Sequence, residues 1–187
     1  MRVLALADKP PPVDPAEMAR QRRVDAVFCL GDLDRAWIES LMSLGIPRFG
    51  VHGNHDPAHV LRELEIEDLH LRRTRLSGGL TVAGFEGCVR YGKGHPAHQY
   101  TQKEARKLAK RLPAADVLLC HCPPLGINDD PEDPAHIGFE ALRDWVDEHR
   151  PKHLLHGHVH PLPGQTLRRH GDTSVHWISG AKVLELR

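Results

Sequence analysis

Short apolar runs, each ending at a side chain able to bind a metal, set the tightest limit on how this chain can fold. Residues 2–7 read as a buried strand that stops at Asp8, and residues 26–30 as another that stops before Gly31-Asp32. A third run, 47–51, leads into Gly53-Asn54-His55-Asp56. Helix signals lie between and after them. Asp14-Pro15-Ala16-Glu17 offers an N-cap, a first-turn proline and a glutamate at the capping-box position. Asp34 opens a second helix that Gly45 closes, and Asp56-Pro57 repeats the pattern of N-cap and proline. Strands alternating with helices imply a parallel βαβ sheet. Ligands of such sheets gather at the carboxyl ends of the strands, so these distant side chains are expected to meet in one crevice.

The second half repeats the arrangement. Residues 117–120 form an apolar run ending at His121, and 152–156 run into Gly157-His158-Val159-His160. Two histidines at i and i+2 on a tight loop send their rings in diverging directions and can face two neighbouring ions. Between these features, Gly78-Gly79 predicts a hairpin over 74–85. Residues 87–99 are a loop rich in Gly and His, and Thr101-Gln102-Lys103-Glu104 is a capping box opening a basic helix. A Pro/Asp-rich loop, 122–136, precedes a helix ending near Arg150, and 166–169 with 175–178 predict a closing hairpin around His170-Gly171-Asp172. The length of 187 residues, without repeat or linker, predicts one domain, 1–187.

Composition removes several function classes. Twenty-five basic and 25 acidic residues cancel, so charge gives no case for nucleic acid or an anionic membrane as an obligate partner. No apolar run approaches the ~18 residues that span a bilayer. The opening run is too short for a signal-peptide core, which predicts a cytoplasmic protein. Four cysteines without a CxxC pair predict buried free thiols rather than a disulfide framework or zinc knot. Fifteen histidines are the anomaly, several of them in loops beside Gly, Asn and Asp. Each has a bland reading when taken alone: Gly-Asp after a strand is usually a turn, and a histidine at a strand end is usually a hydrogen-bonded structural residue. Five strand ends delivering Asp, Asp, Asn, His and His-x-His in this order overturn those readings together.

The motifs Asp8-Lys9-Pro10, Gly31-Asp32, Gly53-Asn54-His55-Asp56, His121 and Gly157-His158-Val159-His160 resemble those of the calcineurin-like metallophosphoesterase superfamily. The resemblance implies an α/β fold, a four-layer αββα sandwich, with a two-metal site at the carboxyl ends of the strands. It implies that Asp32 bridges the ions, that Asn54, His121 and His158 complete one, and that Asp8 and His160 serve the other. His55 would contact the scissile phosphate and assist the leaving group, with Asp56 orienting it. The implied reaction is hydrolysis of a small phosphodiester, or of a phosphomonoester, by a metal-activated hydroxide. A mixed His/Asp/Asn shell suits Mn, Fe or Zn better than Mg or Ca, and Mn²⁺ is expected to support activity best. Alternatives are a scaffold that kept the fold without catalysis, against which His55 speaks, and a nuclease, against which the neutral charge speaks.

One departure matters. The superfamily has His two residues after the first Asp, where this chain has Pro10, which cannot ligate a metal. The Asp8/His160 ion is therefore expected to be the weaker. Lys9 is placed to replace part of a missing cation's charge. Among the other histidines, His52 and His156 precede motifs and are candidates to support the ligands. His95 and His98, with Tyr91 and Tyr100, are candidates to overhang the site. Trp37, Trp145 and Trp177 are expected in the core.

Overall fold

The computed structural model describes residues 1–94, 96–162 and 164–187, so His95 lies outside the described residues. Strand β1 (Arg2–Ala7), helix α1 (Pro15–Arg22), β2 (Ala26–Cys29), α2 (Arg35–Ile38), a 3₁₀ turn (Glu39–Ser43), β3 (Arg48–Gly50), α3 (Val60–Glu63) and β4 (Glu67–Asp68) form the first half. Then follow β5 (Arg73–Arg75), β6 (Thr81–Phe85), β7 (Cys88–Val89), β8 (Gln99–Tyr100), α4 (Gln102–Ala109), β9 (Val117–Cys120), α5 (Glu140–His149), β10 (His153–His156), β11 (Arg169–His170), β12 (Thr173–Trp177) and β13 (Gly180–Glu185).

Two sheets face each other. One is five-stranded in the order β13-β1-β2-β3-β4, the other six-stranded in the order β11-β12-β10-β9-β6-β5. The alternation of side chains along each strand explains the layering. Val3, Ala5 and Ala7 of β1 and Phe28 of β2 pack against Val82, Val117, Leu119 and Leu155 of the second sheet. Leu4, Leu6, Val27 and Cys29 turn the other way, under Ala19, Ile38, Leu41 and Leu61. On the far side Leu118, Cys120 and Leu154 pack beneath Ala105, Leu142 and Trp145 of α4 and α5. Both faces of each sheet are thus covered, as continuous apolar strands demand, and the result is the four-layer αββα sandwich.

The helix starts follow their capping chemistry. Asp14 accepts from the Glu17 amide at 2.8 Å, and Thr101 and Glu104 close a reciprocal capping box. Asp56 does not cap a helix. Residue 59 is the N-cap of α3, and the Asp56 carboxylate is spent elsewhere, as described below. Strand β13, which no apolar run in the sequence signals, pairs antiparallel with β1 along the sheet edge. All four cysteines are buried and free. Trp145 sits in the core, Trp37 packs against the core from the opposite helical layer, and Trp177 stays half-buried with its Nε1 donating to the Val159 carbonyl at 3.0 Å. Among the described residues no helix is long and apolar enough to cross a membrane.

Candidate metal centre

β1, β2 and β3 run parallel in one sheet and β6, β9 and β10 in the other, so their carboxyl ends crowd one rim of the sandwich. Two loops approach there more closely than side chains allow. A Cβ on Gly31 would lie 2.2 Å from the Gly53 nitrogen, and one on Gly53 would lie 2.1 Å from Asp32 Oδ1. Only glycine at both positions lets the Asp32 and Asn54 loops touch. The buried Asp56 carboxylate then ties them: it accepts from the Gly53 amide at 2.7 Å, the Asp32 amide at 3.0 Å and the Leu33 amide at 3.2 Å. Asp32 Oδ1 in turn accepts from the His55 amide at 2.9 Å. Asp8, Asp32 and His158 all adopt positive φ, at 62°, 52° and 68°. Such conformations cost roughly 1–3 kcal/mol each and persist only where surrounding structure enforces them, typically at functional sites.

Asp8, Asp32 and His121 place ligand atoms within 4.8 Å of one another. Fully buried His121 reaches across from the second sheet, with Nδ1 2.8 Å from the Leu30 carbonyl. A carbonyl accepts only, so Nδ1 carries a proton, and Nε2 offers a lone pair when the ring is neutral. That lone pair faces Asn54 Oδ1 at 3.0 Å and Asp32 Oδ2 at 3.5 Å. On the neutral ring three acceptors face one another, a gap that a proton on Nε2 fills when no cation is bound; Asn54 Nδ2 lies 3.5 Å from the Tyr91 hydroxyl. A divalent cation takes the place of that proton, and N/O/O donors suit Mn, Fe or Zn. The electrostatics say the same. Burial would lower the His121 pKa, yet Asp32, Asp8 and the Leu30 carbonyl raise it to about 9. Burial pushes Asp8 up to about 6, against the pull of His121 and the His158 amide. A carboxylate reluctant to ionise beside an imidazole reluctant to lose its proton is a site short of positive charge.

His158 joins through its backbone, donating its amide to Asp8 Oδ2 at 2.9 Å. Its ring centre lies 4.8 Å from that of His121. Its Nε2 is 2.8 Å from the Ala135 carbonyl, which fixes the proton there and leaves Nδ1 as the free acceptor. Burial, then the His121 charge, lowers its pKa to about 3, so the ring is neutral, as a ligand must be. His160 is not drawn in to the same degree. It is exposed, and its ring neighbour is His136, at 5.4 Å. His55 is exposed on a cleft of about 540 Å³ that it lines with Asp8, Asp32 and Asp56, and that continues over Leu33 and Val60.

The calcineurin-like phosphoesterase family model matches residues 13–162, which takes in Asp32, Asn54, His121, His158 and His160 and begins after Asp8. The chain belongs to that family. It is 23% identical over 195 residues to a UDP-2,3-diacylglucosamine hydrolase of Salmonella arizonae, covering 86% of this chain and 78% of that one. A Salmonella paratyphi B protein of the same name is 23% identical over 174 residues, covering 74% and 70%. Two crystal structures of Thermus thermophilus proteins share the fold. One has a TM-score of 0.64 at 18% identity, covering 96% of this chain and 89% of that one; the other scores 0.54 at 19%, covering 96% and 76%. Members of this family are hydrolases of phosphoesters that use divalent metals.

A second cluster escaped the sequence reading. Glu86, at the end of β6, points its buried carboxylate at His52 Nδ1 (3.0 Å), His98 Nδ1 (3.2 Å), His70 Nε2 (3.7 Å) and the Tyr100 hydroxyl. His52, Glu86 and His98 are close enough to hold an ion. Ring geometry favours hydrogen bonding instead. The imidazoles of His52 and His98 are stacked, 4.5 Å apart with planes 7° from parallel, so their in-plane lone pairs run side by side rather than to one point. Burial would lower the His52 pKa, but Glu86 overrides it and raises it, while Glu86 stays ionised well below the usual carboxylate range. The cluster is a clamp between the sheets, directly behind Gly53-Asn54. His98 and Tyr100 therefore turn inward and do not overhang the site, whereas Tyr91, beside Asn54, is exposed. His156 is likewise a support: its Nε2 is 2.9 Å from Asn128 Nδ2. No simple spacing signals Glu86, whereas His52 preceding a motif was a usable hint.

Proposed function

We propose that the protein is a metal-dependent phosphodiesterase acting on a small substrate in the cytoplasm, with manganese as its preferred metal. The observation that carries this reading is the convergence of Asp32 Oδ2, Asn54 Oδ1 and His121 Nε2 on one point, beside an exposed His55. Asp32, Asn54, His121 and His158 would hold one ion, Asp8, Asp32 and His160 the other. Bound there, the ions supply charge neutralisation of the phosphate and a nucleophile at neutral pH. The chain's own residues do the rest. His55 contacts the phosphate and delivers a proton to the leaving oxygen as it departs. Its backbone amide, fixed on Asp32, sets the ring's origin, and Asp56 acts through the loops that it ties together.

Two clefts support a diester over a monoester. The cleft lined by His55 and Asp8 opens on one side of the cluster. A second, of about 530 Å³, is lined by His136 and His160; the His136 ring meets those of His160 and His158, and His158 in turn meets His121. A phosphodiester has two organic arms to place, a monoester one. The test is to assay metal-free and Mn²⁺-loaded protein with bis-p-nitrophenyl phosphate, p-nitrophenyl phosphate and a UDP-sugar. Metal-dependent turnover favouring the diester is expected. Activity that ignores metal removal would reject the metal centre, and a monoester preference would reject the finer reading.

A further inference from the structure

The cleft that holds His55 carries a second group of polar side chains, Arg35, His59 and Glu63, on a wall completed by Leu33, Pro57 and Val60. Local structure sets this group. Asp34 caps α2 by accepting from the Ala36 amide at 2.9 Å, which makes Arg35 the first residue of that helix. Arg35 lies three residues from Asp32, within about 11 Å along even a fully extended chain. Glu63 is the last residue of α3, and the two helices meet through these side chains: Arg35 Nη1 donates to Glu63 Oε2 at 3.3 Å. Arg35 Nε lies 3.8 Å from Glu39 Oε2, and His59 Nε2 lies 3.9 Å from the other Glu63 oxygen.

The charges in this cleft decide what can lie in it. Among the described residues that line it, and those that line the His136/His160 cleft, Arg35 is the only lysine or arginine. Its charge is already shared between Glu63 and Glu39, and Asp34 adds a further carboxylate to the wall. The phosphate itself is met by the metal ions, but a second anion on the substrate would find Arg35 occupied and two carboxylates facing it. Like charges brought together in this way count against the wrong ligand. An uncharged group meets no such penalty, and Leu33, Pro57 and Val60 give it an apolar surface to cover. His55 lines the same cleft and, by the reading above, delivers a proton to the leaving oxygen, so the group that lies here is the leaving group.

We propose that Glu63, by holding Arg35, makes the His55 cleft a seat for an uncharged leaving group and turns away leaving groups that carry an anion. This rests on the phosphodiesterase reading, with His55 at the leaving oxygen. The test uses Mn²⁺-loaded protein and two diesters with the same methyl arm, methyl p-nitrophenyl phosphate and its analogue with a carboxylate beside the nitro group. Comparing the ratio of their kcat/KM values between proteins cancels the intrinsic reactivity of the two phenols. Glu63→Gln frees Arg35 and should raise the ratio of the carboxylate-bearing ester to the uncharged one by about 3–10-fold, through KM. Arg35→Gln should lower that ratio, and adding it to Glu63→Gln should cancel most of the gain. A purely structural role would move both esters alike and leave the ratio where it was. Metal-dependent turnover with an unmoved ratio in Glu63→Gln, or a gain that survives whole in the double variant, would overturn the proposal and leave the phosphodiesterase reading standing. A parent without Mn²⁺-dependent turnover of either ester would overturn both.

Discussion

The two flanks of the metal centre are built differently. On the Asn54 side, His121 is fully buried, its Nδ1 is fixed on a carbonyl of the opposite sheet, and its partners stand at hydrogen-bond distance. The backbone carrying them is tied by Asp56 within and by Glu86 behind. On the Asp8 side, Asp8 follows a strand, but His160 is exposed and Pro10 offers nothing. Ligands fixed by the meeting of two sheets are assembled before the ion arrives. Ligands on loops must still be gathered, and their ordering costs conformational entropy.

The largest expected effect comes from breaking the assembled flank. His121→Ala should lose bound metal and diesterase activity together, by more than the roughly 10–100-fold typical of an outer-shell partner. Metal content after dialysis, measured beside the rate, checks this. Next is His55→Ala, which should cut turnover by roughly 10²–10⁴-fold while metal content stays at the parent level, because His55 works on the leaving group. A His55→Ala protein with full turnover on a diester of poor leaving group would remove His55 from the chemistry.

The contrast between flanks also marks what the sequence could tell. The β1, β2, β9 and β10 strands were legible because each is an apolar run ended by a polar residue, and the ligands at their ends share the signal. Asp56 reads as a helix cap in the sequence, since Asp-Pro is the ordinary pattern for one. Its true partners, the amides of Gly53, Asp32 and Leu33, exist only once two loops touch. Glu86 escapes the sequence for the same reason. A glutamate after Phe85 carries no periodicity, and its role appears only where chain segments far apart in sequence meet. β13 is hidden because Lys182 and Glu185 interrupt its apolar pattern at an exposed sheet edge.

Two smaller effects sharpen the comparison. Glu86→Ala removes the charge at the centre of the clamp and strands the polar rings around it. It should cost about 3 kcal/mol of stability, a fall of roughly 6–12 °C in Tm by thermal melting. An unchanged Tm would mean that the clamp is not holding the sheets. The smallest effect is expected from Pro10→His alone, a modest tightening of the looser ion by one added imidazole. Pro10→Ala is the control, since it relaxes the backbone beside Asp8 without adding a ligand.

The inequality of the flanks is tested most directly by isothermal titration of the metal-free parent protein with Mn²⁺. Two binding events separated by about 10-fold or more in affinity are expected, with the tighter one abolished by His121→Ala. Two ions bound with equal affinity, or a tight ion that survives His121→Ala, would contradict the assignment of the assembled flank to Asn54, His121 and His158.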